Sequence, residues 1–200
     1  MTEELAYEVV RSYEEFELRR YVPHVVAEVV VTGSFEEAGN RAFRTLFGYI
    51  SGQNRSASKV AMTAPVTQHD AQRVAMTAPV QQRGTDAGEY AVAFVLPSSL
   101  SLDHAPVPTN PEVQLHQRPS ALVAALGYRG RWTRASFERH HEELQRAVAS
   151  AGLTPVGAPT WARFDPPFVP WFLRRNEVLQ EVAGQSDHEV DHQVDHQGDR

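Results

Sequence analysis

Residues 25–52 read VVAEVVVTGSFEEAGNRAFRTLFGYISG, and this stretch contains a strand, a turn and a helix in succession. The β-branched run Val25–Val31 predicts a central strand that ends at Gly33. Ser34 is a predicted helix N-cap, and two glutamates in the next turn complement the positive end of the helix dipole. Apolar residues then recur at three- and four-residue steps, which predicts an amphipathic helix over residues 34–51.

The same arrangement returns 97 residues later, where Gly130 and Trp132 correspond to Gly33 and Phe35. A second helix is predicted over residues 133–150. Two copies of a strand, a helix and further strands indicate an α+β architecture, in which two pseudo-symmetric halves share one sheet. Two helices lying on a curved antiparallel sheet leave clefts beside each helix, and small ligands commonly bind in such clefts.

The heptapeptide VAMTAPV occurs twice without change, at residues 60–66 and 74–80. Its alternation of larger and smaller side chains is typical of a half-buried strand, and its proline predicts a sheet edge, a strand end or a bulge. Two interpretations remain open. The duplication could be a structural hairpin, or Met62 and Met76 could line one side of a ligand pocket.

The bulk composition predicts one cytoplasmic domain over residues 1–183. The chain has 200 residues and 42% hydrophobic residues, without an apolar run long enough to span a membrane or a secretory leader at its start. The absence of cysteine excludes disulfides and thiol catalysis. The net charge of −6 does not favour nucleic-acid binding.

The last residues, 184–200, form an acidic repeat with histidine at every fourth position. Its low complexity predicts a disordered tail.

A segment dense in aromatic residues and prolines, residues 161–172, is suited to form one wall of a pocket for a flat hydrophobic molecule. Arg174-Arg175-Asn176-Glu177 follows, and a closing strand is predicted over residues 178–182. His140, the internal equivalent of Phe43, has two interpretations: a hydrogen-bonded histidine at the helix edge, or an iron ligand.

Three motifs together resemble the SOUL haem-binding family: Tyr7-Glu8-Val9-Val10 with Leu18-Arg19-Arg20-Tyr21; Tyr49-Ile50-Ser51-Gly52-Gln53-Asn54 leading into Met62-Thr63-Ala64-Pro65-Val66; and Phe164-Asp165-Pro166-Pro167 leading into Arg174-Arg175-Asn176-Glu177-Val178. The resemblance spans roughly residues 6–183. It implies a distorted antiparallel β-barrel of two pseudo-symmetric halves flanked by two long helices.

The resemblance also implies non-enzymatic binding of haem or a related tetrapyrrole by a monomer that buffers or carries it. The implied pocket is a hydrophobic cleft beside the first helix, with the proline-rich loop across it. The expected binding residues are Ala42, Phe43, Leu46, Phe47, Ile50, Met62, Phe168, Trp171, Arg174 and Glu177. No catalytic residue and no metal ligand is assigned.

The sequence departs from the family pattern at two points. Some animal members have a histidine, proposed as an iron ligand, at the position of Arg20, and others have lysines where this chain has Gly48 and Val169. The axial ligand of the iron is therefore left unassigned.

Two other functions compete with haem binding. The two-half architecture also resembles the gyrase-inhibitor-like ligand domains of multidrug-sensing regulators, some relatives of which hydrolyse small electrophiles. By that analogy Glu177 in an aromatic pocket would act as a general acid or base, unless it forms a salt bridge to Arg174 or Arg175. The third possibility is a structural or interaction module.

Overall fold

The computed structural model describes residues 3–56, 71–85, 88–165 and 168–183. The first VAMTAPV copy, with Met62, and the acidic tail therefore fall outside the described part of the chain.

Two helices form where the periodicity predicts them. Helix α1 spans Phe35–Ile50 and helix α2 spans Arg134–Ser150. The Ser34 side chain caps α1 by accepting a hydrogen bond from the backbone N–H of Glu37, and Thr133 caps α2 in the same way. Neither is long and apolar enough to span a membrane, and that holds for every helix in the described ranges.

The strands are, in chain order, β1 Glu3–Glu4, β2 Tyr7–Ser12, β3 Glu17–Tyr21, β4 His24–Thr32, β5 Asn54–Arg55, β6 Thr77–Ala78, β7 Val80–Gly84, β8 Glu89–Val95, β9 Val107–Pro108, β10 Gln114–Arg118, β11 Ala121–Arg129, β12 Thr160–Arg163 and β13 Arg175–Glu181. Nine of them form an antiparallel sheet in the order β10-β4-β8-β7-β12-β13-β11-β3-β2. This sheet curls into a half-barrel, which confirms the predicted α+β distorted barrel.

The sheet has two halves that meet where β7 pairs with β12. The 97-residue offset carries β3 onto β10 and β4 onto β11, residue for residue. Each short strand pairs with the long strand of the other sequence half: β3 pairs with β11, and β10 pairs with β4. Each half is therefore completed by a strand from the other half of the sequence.

The two faces of the sheet are packed differently. On one face, α1 covers a core that includes Val29, Val92 and Phe94, while α2 covers a second core around Trp161 and Val178. The opposite face is concave, and neither α1 nor α2 packs on it. Its smaller apolar cluster includes Val26, Ala93, Ala125, Ala162 and Leu179.

Two details differ from, or sharpen, the sequence-based picture. The closing strand begins at Arg175, earlier than predicted, because Asn176 and Glu177 are buried polar residues whose pairing the sequence does not reveal. In the second VAMTAPV copy, a cis peptide bond precedes Pro79, which separates β6 from β7. Of the three predicted positions for this proline, a sheet edge, a strand end or a bulge, the second copy has the strand end; the first copy lies outside the described residues.

Candidate functional site

The expected α1 residues divide into buried and accessible groups. Ala42, Leu46 and Ile50 are buried against the sheet within the α1 core. Phe43 is half-buried, and its ring stacks on Phe47 with a centroid separation of 6.0 Å. Phe47 is 50% exposed, so these two rings form an accessible apolar surface on α1.

The proline-rich loop presents a second apolar surface. Phe168 is 84% exposed and Trp171 is 48% exposed, which is unusual for such large apolar side chains. The guanidinium of Arg131 lies 4.7 Å from the centre of the Trp171 ring. Arg174 lies 4.5 Å from the centre of the Trp132 ring and donates from Nε to the carbonyl oxygen of Val169 at 2.8 Å. Arginine guanidiniums therefore lie against tryptophan rings at this loop.

A half-buried arginine, Arg163, lies between Gly39 of α1 and Trp132, the ring that Arg174 of the loop also contacts. The Arg163 guanidinium lies 5.3 Å from the Trp132 ring centre and 4.7 Å from the Trp161 ring centre, and its Nη2 donates to Oε1 of Gln82 at 2.8 Å. A methyl group built at Gly39 of α1 would come within 2.5 Å of Arg163 Nη2, so the helix can approach this closely only without a side chain at that position. Burial lowers the pKa of Arg163 to about 10, which still leaves it charged at neutral pH.

Sequence reasoning missed Arg163. The sequence feature that could have indicated a close contact with α1 was Gly39, a residue with poor helix propensity inside a strongly amphipathic helix.

Glu177 lies on the other face of the sheet from α1. Its neighbour Val178 packs under α2, and side chains alternate along a strand, so Glu177 points to the concave face. There it accepts two hydrogen bonds from Arg19, at 2.8 and 3.2 Å. The expected partners were Arg174 and Arg175, but Arg175 pairs with Glu4 instead.

The Arg19–Glu177 pair is almost closed to solvent, with each side chain 8% exposed. Burial alone would lower the pKa of Arg19, but its bonds and charge interaction with Glu177 outweigh this and raise it. A carboxylate held in this way by two guanidinium nitrogens favours a structural ion pair over a general base. The structure therefore brings Glu177 neither to the α1 cleft nor into a free catalytic position.

A cavity of about 590 Å³ opens on the concave face and was not expected from the sequence. Glu28 lines it, together with Arg20, Arg83 and Arg118. The Arg118 and Arg83 guanidiniums reach the same Glu28 oxygen, Oε2, at 2.5 and 3.5 Å. The sequence feature that could have indicated a polar site on this face was Glu28, a charged residue within a mostly apolar strand.

The histidine interpretations can be compared with the geometry. His140 stacks on Tyr128 with ring centroids 3.8 Å apart, and its Nδ1 lies 2.6 Å from the carbonyl oxygen of Ser136. This arrangement is that of a histidine hydrogen-bonded at the helix edge. Across the described ranges, no group of three or more His, Cys, Asp and Glu side chains is placed to hold a metal ion.

A model of the SOUL heme-binding protein family matches residues 2–181. The chain belongs to this family. Two SOUL-family relatives are both called Heme-binding protein 1. The one from Xenopus laevis is 26% identical over 164 residues, 82% of this chain and 81% of the relative. The one from Xenopus tropicalis is 26% identical over 166 residues, with the same coverage.

Solved structures with low identity share the fold of this SOUL-family chain. The EcmrR C-terminal domain has a TM-score of 0.56 at 10% identity, covering 90% of this chain and 99% of that domain. A hydrolase from Listeria innocua has a TM-score of 0.53 at 11% identity, covering 87% and 94%. These similarities concern the fold alone.

Two asparagines of the SOUL-like motifs, Asn54 and Asn176, hydrogen-bond through their side chains to backbone groups of neighbouring segments. The amide nitrogen of Asn54 donates to the carbonyl oxygens of Tyr49 and Gln72, both at 2.7 Å, and its oxygen accepts from the Gln72 N–H at 2.9 Å. Asn176 is fully buried and donates to the carbonyl oxygen of Gly130 at 3.3 Å. These motif residues therefore hold the end of α1 and the start of the α2 connection in place.

Proposed function

We propose that this protein binds haem or a related tetrapyrrole beside α1, between the Phe43–Phe47 surface and the loop at residues 168–174, and that it buffers or carries the ligand. Membership of the SOUL family is the observation that carries the proposal. The named relatives are haem-binding proteins and share about four fifths of their length with this chain.

The side chains around this cleft suit the two parts of a haem molecule. A porphyrin requires flat apolar contact, which Phe47, Phe168 and Trp171 can supply because they are exposed. Its propionates require cations, and Arg131 and Arg174 lie beside the aromatic rings of the loop. When bound, haem would supply a redox-active iron and a strong visible chromophore.

A chain of contacts between the loop and α1 supports the proposed cleft, since Arg174 of the loop and Arg163 both contact the Trp132 ring. Arg163 contacts Trp132 on one side and approaches Gly39 on the other. Phe43 and Phe47 follow Gly39 at four-residue steps, so they continue along nearly the same stripe of the helix. Ala42, Leu46 and Ile50 support this stripe from the sheet side, and we assign direct contact to Phe43, Phe47 and, from outside the described ranges, Met62.

Apolar burial, rather than a protein–iron bond, is the proposed main source of affinity. His140 is already stacked on Tyr128 and is directed to a backbone carbonyl of its own helix. We therefore assign no axial ligand to the iron.

A haemin titration tests the proposal. We expect the Soret band to shift with a stoichiometry near one. Phe47→Asp should weaken binding about tenfold or more, because it places a charge within the apolar contact. His140→Ala should leave the affinity nearly unchanged and serves as the matched control. A Soret spectrum identical to that of free haemin, or loss of binding in His140→Ala alone, would contradict the proposal.

A further inference from the structure

The concave cavity remains open because small side chains form its floor. Ala91 and Ala93 of β8 and Ala121 of β11 line it, together with Thr160 of β12. Larger residues at these positions would fill the space between the curled strands. The volume of about 590 Å³ falls within the range of ordinary small-molecule sites.

One end of the cavity has a local excess of positive charge. Arg83 and Arg118 both contact Glu28 there, whereas Arg20 alternates with Arg19 along β3 and points to the other face of the sheet. Glu181 also lines the cavity. His24 also contributes to the wall, and burial lowers its pKa.

The excess charge is concentrated where two arginines share one carboxylate. Glu28 is 8% exposed, and both guanidiniums reach its Oε2, while His116 lies 4.0 Å from its Oε1. A guanidinium carries five N–H donors, and Arg83 and Arg118 each direct one nitrogen to Glu28. Their side chains are 41% and 31% exposed, so the remaining donors are accessible from the cavity.

We propose that this cavity is a second ligand site, which binds a small organic anion with an apolar body. The carboxylate of the ligand lies against Arg83 and Arg118 beside Glu28, where it balances the second guanidinium. The apolar body lies on the alanine floor, next to Val123 and Leu179. A fork of guanidinium donors matches a carboxylate geometrically, and an aromatic or aliphatic body gains from leaving water.

This site is separate from the proposed tetrapyrrole cleft. Residues of β4 and β8 alternate between the faces, so Val29 and Val92 pack under α1 while Glu28 and Ala93 face the cavity. The sheet itself lies between the two sites. The inference therefore does not depend on haem binding.

Three ligands with the same naphthalene body and different charge test the inference by isothermal titration calorimetry on the full chain. We expect 2-naphthoate to bind with a stoichiometry near one. The cation 2-naphthylmethylammonium and the neutral 2-naphthylmethanol should each bind about tenfold more weakly or not at all.

Substitutions at the cavity residues test where 2-naphthoate binds. Arg118→Gln should weaken naphthoate binding about tenfold, because it removes one of the two cations. Arg146→Gln, which removes an exposed arginine on α2, is the matched control and should have no effect. Ala93→Leu and Ala121→Leu each add a side chain to the floor and should abolish binding while the thermal melting curve stays cooperative. The second of these keeps the test valid if the first fails to fold.

Four results would overturn the inference: no saturable naphthoate binding, equal or tighter binding of the ammonium ligand, unchanged affinity in Arg118→Gln, or unchanged affinity in a folded floor variant. Haemin provides the last comparison. If haemin and naphthoate compete fully and Ala93→Leu loses both, the two sites are one and the second site does not exist. If haemin fails to bind while naphthoate binds, only the tetrapyrrole proposal is wrong.

Discussion

The two faces of the nine-stranded sheet bury their arginines in different ways. Under the helices, Arg163 lies between two tryptophan rings and donates to a glutamine side chain, without a carboxylate partner among the residues that the structure describes. On the concave face, Arg19 bonds to Glu177 and also to Glu17. One cation is therefore held by π-systems and an amide, and the other by two carboxylates.

This difference in charge compensation indicates which face can accept a charged ligand. The helix-covered face tolerates an uncompensated charge because Trp132 and Trp161 stabilise it while excluding water. The concave face has opposite charge surpluses at two places: two glutamates contact Arg19, while two arginines contact Glu28. The first cluster is closed and acts as structure. The second lines a cavity and can accept a further anion.

Breaking the closed cluster should have the largest effect on stability. Arg19→Met leaves the Glu177 carboxylate buried without its partner, and such a change costs about 3–5 kcal/mol. Urea unfolding followed by far-UV circular dichroism measures it. The double variant Arg19→Met with Glu177→Gln removes both charges and should recover more than half of the loss. A single variant as stable as the wild type would mean that the ion pair makes no net contribution.

Disturbing the arginine under the helices should have a smaller effect. Gly39→Ala would gain about 1 kcal/mol from helix propensity, but the new methyl group meets Arg163 Nη2 at 2.5 Å and Gln82 Oε1 at 3.0 Å. Because both groups are hydrogen-bonded to each other and packed, we expect a net loss of about 1–2 kcal/mol.

Gly48→Ala on the same helix is the matched control. There the atoms nearest to the new methyl group belong to the flexible Gln53 side chain, whose Oε1 is 2.5 Å away and can move. This variant should be neutral or slightly stabilising in the same urea titration. Equal effects of the two substitutions would show that Arg163 does not restrict the packing of α1.

The helices and most long strands could be predicted because their residues carry a periodic signal. Apolar residues recur at helical steps over residues 34–51, and Val25–Val31 is rich in valine, so each pattern is visible in the local sequence alone. The start of β13 could not be predicted in this way. Asn176 and Glu177 are polar, and their burial depends on Gly130 and Arg19, which are distant in sequence.

The candidate sites were predictable only in part. The aromatic residues of α1 and of the proline-rich loop were predicted to bind the ligand; the structure shows Phe47, Phe168 and Trp171 exposed, and their contact with a ligand stays a prediction. Glu177 was grouped with them because sequence proximity to Arg174 does not reveal the face of the sheet to which a side chain points. The concave cavity depends on alanines from β8 and β11, strands that are not adjacent in the sheet, and composition alone carries no signal for such an opening.

The open cluster at Glu28 should give the smallest single-site effect. Arg118→Gln removes a partly exposed cation while Arg83 remains, so we expect a loss of about 1 kcal/mol or less in urea unfolding. Arg83→Gln should behave similarly. The double variant should lose more than the sum of the two, by about 1 kcal/mol, because Glu28 is then buried without any arginine. Strict additivity would indicate that neither arginine compensates for loss of the other at Glu28.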